Sequence, residues 1–87
     1  GVSEKLVNIV SDQTDEICTV ITKELGRDGT ILAGQNLSRA RDKSIILVVV
    51  NGRGVIQLRQ LVVAIDKDAL IIVMEASEMT GTSRRYQ

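Results

Sequence analysis

Ser44-Ile45-Ile46-Leu47-Val48-Val49-Val50 runs directly into Asn51-Gly52-Arg53-Gly54. Of the first seven residues five are β-branched and six apolar, the composition of a strand. The apolar run is six residues, far below the roughly 20 that a membrane helix needs. Asn51 and the two glycines are turn formers and end it. A sheet with helices on one side should alternate apolar with polar, because its other face meets water. This strand does not: Ile46, Val48 and Val50 share one side, Ile45, Leu47 and Val49 the other.

Downstream, Val55, Leu58, Leu61, Val62 and Ile65 recur at helical spacing with Gln57, Arg59 and Gln60 between them. Asp66-Lys67-Asp68 turns the chain into a strand over 69–74, again apolar on both sides. Upstream, residues 6–10 read as a strand, and Ser11 or Asp12 offers an N-cap to a helix carrying Ile17, Val20, Ile21 and Leu25. Gly26 suits the C-terminus of that helix, and Asp28-Gly29 marks a turn into a strand at 30–33. Residues 34–43 are polar and read as a hairpin loop whose base can extend the strands.

The order is βαββαβ, the ferredoxin-like α+β arrangement. It predicts a four-stranded antiparallel sheet with two helices on one face, the first and third strands being central. One domain over residues 1–81 is expected, with a polar tail at 82–87.

Composition narrows the function. The 87 residues hold eleven basic and eleven acidic side chains, and no His, Phe, Trp or Pro. A nucleic-acid binder normally shows a basic excess and stacking aromatics, so no nucleic-acid partner is expected. Cys18 is the only cysteine, which excludes an internal disulfide and a thiolate zinc cluster. It sits beside an apolar helix stripe and reads as a small hydrophobe. Without His the common nucleophile–base pairs are absent, and Asp12, Asp15, Glu16, Asp66 and Asp68 fall at a helix start or in a turn. No catalytic residue, metal or cofactor is expected, and the chain reads as a binding or regulatory module. Gly1 fits a cloning scar or a cut domain boundary, and natural sequence is expected to continue upstream.

Two candidate sites remain. Ile45, Leu47, Val49, Leu70, Ile72 and Met74 form an apolar set that a helix-free sheet face would expose, and such patches mark interfaces. Covering it is worth on the order of 10 kcal/mol before association costs. The expectation is a homo-oligomer, dimer or trimer; a solvated face, or cover by the C-terminal tail or by sequence beyond these 87 residues, are the alternatives. Asn36, Ser38, Arg39, Arg41 and Lys43, with Asn51 and Arg53 before the second helix, are donors suited to a small anionic ligand such as a nucleotide. Their plainer reading is a solvated hairpin loop and an ordinary turn.

Taken together, Val7-Asn8-Ile9-Val10-Ser11-Asp12, Arg27-Asp28-Gly29-Thr30-Ile31-Leu32-Ala33-Gly34, Ala64-Ile65-Asp66-Lys67-Asp68-Ala69-Leu70 and Glu75-Ala76-Ser77-Glu78-Met79-Thr80-Gly81 resemble the soluble C-terminal domain of the YitT family of bacterial multi-pass membrane proteins. The resemblance runs over about residues 5–81. It departs at Leu37-Ser38-Arg39, where the family often has an aromatic-Thr-Gly segment. It implies a sensory or regulatory domain on the cytoplasmic side of the plasma membrane, attached to a membrane domain of the same full-length chain. It also implies a fold similar to PII signalling proteins, which form trimers around their sheets and bind nucleotides between subunits.

Overall fold

β3 (Asp42–Asn51) lies inside the sheet, hydrogen-bonded along both edges. The computed structural model describes residues 4–75, so the expected tail at 82–87 lies outside the described residues. Around β3 the elements follow as β1 (Glu4–Val10), α1 (Thr14–Glu24), β2 (Thr30–Gln35), α2 (Gly52–Ile65) and β4 (Leu70–Glu75). The strand order is β2-β3-β1-β4, all pairs antiparallel, with β1 and β3 central as the βαββαβ order requires.

Register fixes which side chains meet the helices. Val7 lies opposite Val48 and Ile9 opposite Ile46, while on the other edge of β1 they face Val73 and Ile71. This side packs against Ile17 and Ile21 of α1 and Leu58 and Val62 of α2, all buried with Val50 in one cluster. The core is thus aliphatic throughout. Each such side chain contributes about 1.5–3 kcal/mol when fully buried.

The sequence places Ser11 or Asp12 as the cap of α1, and the structure assigns both other work. Gln13 occupies the cap position and makes no side-chain cap bond. Ser11 is buried, its Oγ accepting from Gln13 N at 2.9 Å and donating to the Asp66 carboxylate. Asp66 follows α2 and also accepts from Asp68 N at 2.9 Å, so one carboxylate ties the start of α1 to the end of α2. Asp12 turns instead to the β2–β3 hairpin, with Arg41 at 3.0 Å and Lys43 at 3.3 Å. At the far end of α1, Gly26 takes φ +61°, the left-handed conformation that glycine adopts without a Cβ penalty.

Where β3 ends, Asn51 becomes the cap of α2, its Oδ1 accepting from Gly54 N at 2.7 Å. Gly29 is required for another reason. A Cβ there would stand 2.3 Å from the carbonyl oxygen of Leu47, so the entry to β2 closes on β3 only with glycine. Asn51→Ala should therefore cost about 1 kcal/mol of unfolding free energy. Gly29→Ala should cost about 1–3 kcal/mol through overpacking. Urea denaturation measures both, and in the glycine variant faster amide exchange should be concentrated in β2.

The two cations beside Asp12 hold its carboxyl below the usual aspartate range, the Arg41 hydrogen bond contributing most and Lys43 next. A depressed folded-state value means that the tether is present above the ordinary aspartate range and is lost as pH falls through the lowered value. Asp12→Asn should leave the melting transition in place and speed amide exchange at 36–41 at neutral pH. In the unaltered chain the same acceleration should come only on acidification, read by exchange measured as a function of pH.

Candidate functional site

The face of the sheet turned away from the helices carries a three-by-three array. Its rows are Ile45, Leu47 and Val49 on β3, Leu6, Asn8 and Val10 on β1, and Leu70, Ile72 and Met74 on β4. Register sets the columns: Val49–Leu6–Met74, Leu47–Asn8–Ile72 and Ile45–Val10–Leu70. Eight apolar side chains surround one carboxamide, and the face continues onto β2, where Leu32, 43% exposed, lies beside Ile45 and Thr30 beside Leu47. Leu70, Ile72 and Met74 are 54%, 44% and 37% exposed, and Ile45 and Leu47 are half-buried.

All six residues expected at an interface therefore share this face. Val49 differs in degree, at 1% exposure. It sits at a corner of the array, in a hollow that Glu4, Arg27 and Asn51 also line, and is already removed from water. The set drawn from the sequence omits Leu6, Asn8 and Val10. Their signal was the period of two in Leu6-Val7-Asn8-Ile9-Val10, readable once Val7 and Ile9 are known to face the helices.

The expected ligand-binding residues are not brought together. The 36–41 turn lies at one end of β3 and Asn51 with Arg53 at the other, about 30 Å apart along a ten-residue strand. One chain cannot gather both around a small molecule. Several of the donors are also occupied. Asn36 Oδ1 accepts from Ser38 Oγ at 3.1 Å and Arg41 N at 3.3 Å, which closes the turn. Arg41 and Lys43 are paired with Asp12, and Asn51 caps α2. Arg39 and Arg53 are exposed, Arg39 in the left-handed conformation at φ +60°. Near Arg53 a small hollow is lined by Leu25, Arg27, Val50, Asn51, Gly54 and Gln57.

Cys18 lines a groove of about 350 Å³ between α1 and β2, with Ile21, Ile31, Ile46 and Val48. Burial, and next the charge of Asp15, push its thiol up, which keeps it protonated and unreactive at neutral pH. Among the described residues no group of three or more His, Cys, Asp and Glu side chains could hold a metal ion. Among them, too, no helix is long and apolar enough to cross a membrane.

Comparison with known proteins adds a family. A membrane protein of Bacillus subtilis (strain 168), UPF0750 membrane protein YxkD, is 25% identical over 79 residues, covering 91% of this chain and 28% of that protein. The chain thus spans little more than a quarter of that relative. A crystal structure of an uncharacterised DUF2179 protein from Eubacterium ventriosum superposes with a TM-score of 0.72 at 25% identity, covering 82% of this chain and 97% of that one. A functionally unknown protein from Pediococcus pentosaceus ATCC 25745 gives 0.72 at 11% identity over 94% of this chain and all of the other, a likeness of fold alone. The family model described as "Uncharacterized protein conserved in bacteria (DUF2179)" matches residues 27–81, which contain β2, β3, α2 and β4. With more than half of its length matched, the chain belongs to the DUF2179 family.

Proposed function

We propose that this chain is an assembly and regulatory domain of a bacterial membrane protein, joining copies through the sheet face turned away from its helices. The observation that carries the reading is the array of apolar side chains on that face, with Leu70, Ile72 and Met74 well exposed. A contiguous apolar surface of this kind is what an interface leaves when its partner is removed. The partner is a second copy. The array holds no charged side chain, so like meets like without repulsion. The domain acts by binding, not by catalysis.

The link to a membrane protein rests on the relative from Bacillus subtilis. The finer placement, as a YitT-like domain with a PII-like fold on the cytoplasmic side, rests on the sequence resemblance. A small anionic ligand is the second reading, favoured by Arg53 and Arg27 lining one hollow beside the start of α2. Because the 36–41 loop lies at the opposite end of β3, a ligand touching both loops would have to bridge two copies. Thermal shifts with ATP measure it, since a ligand at 100 times its dissociation constant adds about 2.7 kcal/mol.

Sedimentation equilibrium tests the assembly reading. The unaltered chain should associate at micromolar concentration, and Ile72→Lys should shift it to monomer. Ile72 is 44% exposed, so the lysine should leave the urea midpoint of the monomer nearly unchanged. An unaltered chain that stays monomeric at 100 times that concentration would overturn the proposal.

A further inference from the structure

The centre of the apolar array is polar. Asn8 stands in the middle of β1, between Leu47 on β3 and Ile72 on β4, with Leu6 and Val10 above and below it on its own strand. Its side chain makes no hydrogen bond to any other described residue. A carboxamide encircled by aliphatic side chains loses its water when the face is covered, and an unpaired amide costs about 1–3 kcal/mol in such surroundings. Random placement of a polar residue would favour the rim, where water remains. Asn8 lies instead on the inner strand β1 with apolar neighbours on every side, while Thr30 of the same face lies on the edge strand β2.

We infer that Asn8 lies on a two-fold axis and pairs with Asn8 of a second copy, fixing both the register and the number of chains. This rests on the sheet-face assembly proposed above and gives it a stoichiometry of two. The carboxamide is self-complementary, its N–H₂ donating to the oxygen of an identical group turned around a dyad. The dimensions agree. Sheets packed face to face lie about 10 Å apart. An asparagine amide reaches about 3.5 Å from its Cα, which leaves about 3 Å between opposed amides, the length of an N–H···O bond. A slip by one strand or by two residues would put each amide against leucine, isoleucine or valine, unpaired. The isologous arrangement is the one in which both amides are satisfied. A single buried asparagine sets register and oligomer number in the same manner between coiled helices.

Substitution at Asn8 separates this inference from the one beneath it. Asn8→Asp puts two carboxylates face to face at the dyad, so at pH 7 it should weaken association at least about 100-fold relative to the unaltered chain. Acidification to pH 3.5 should restore the dimer as the carboxyls protonate, each pH being compared with the unaltered chain at the same pH. Asn36→Asp, in the exposed turn, should do neither. Asn8→Leu makes the face wholly apolar and carries no buried charge into the fold. It should associate strongly but as a mixture of species, because nothing then selects one register. An Asn8→Asp chain that dimerises as tightly as the unaltered chain at pH 7, or an Asn8→Leu chain that remains a single dimer, overturns the role of Asn8 and leaves the sheet-face assembly standing. An unaltered chain that is monomeric overturns both.

Discussion

Everything in this domain hangs on β3 being bonded along both edges and apolar on both faces. Its edges are taken by β1 and β2, which satisfies its backbone groups and forces it to the interior of the sheet. One face, Ile46, Val48 and Val50, receives both helices and makes the core. The other, Ile45, Leu47 and Val49, is then committed to the far side whether or not anything meets it there. A one-residue slip would exchange the two sets at little cost to hydrophobicity, since both are aliphatic. What prevents the slip lies outside the strand. The near approach of Gly29 to the Leu47 carbonyl and the Asn51 cap pin β3 at chosen positions.

The polar residues of the chain are mostly spent in holding that arrangement. Ser11 and Asp66 join the start of one helix to the end of the other, and Asp12 binds the hairpin through Arg41 and Lys43. Asn36 closes the turn that Arg39 opens, and Asn51 caps α2. Most residues chosen as donors for a ligand are bonded within the folded chain, and Arg39 and Arg53 are the exposed exceptions. The apolar residues of the far face, together with Asn8 among them, have no such task. Function is therefore better sought in the sheet than in the loops.

The element order, the central strands and the two-sided apolar runs were all legible in the sequence, because periodicity at 45–50 and at the helix 55–65 is strong and turn residues separate the elements. The strands were nonetheless read short. Asp42, Lys43 and Asn51 look like loop residues, yet they extend β3 because Gln35, Gly34 and Glu4 lie across from them in register. Capping misled for a related reason. Ser11 and Asp12 have the chemistry of a cap, but Asp66 is 55 residues away and Arg41 and Lys43 about 30, and no local pattern announces such partners. The distance between the two basic loops was hidden in the same way, since residues 41 and 53 are close in sequence and lie beyond opposite ends of a straight strand. Asn8 was visible as an exception in an apolar run. Its significance appears only when β3 and β4 are laid beside it.

A face of this size need not bind tightly to be effective. The relative in Bacillus subtilis is a membrane protein of which this chain spans 28%. A domain carried on such a protein meets its copies in two dimensions and at short range, so association of the soluble parts becomes nearly intramolecular. Short flexible connections raise the effective concentration to about the millimolar range. Under those conditions a contact that is micromolar between free domains is largely formed. Specificity then matters more than strength, because tethered neighbours of any apolar kind would also stick. In the proposed assembly a central carboxamide would serve that need, since it would subtract affinity from every mismatched pairing and from none that brings its own twin opposite.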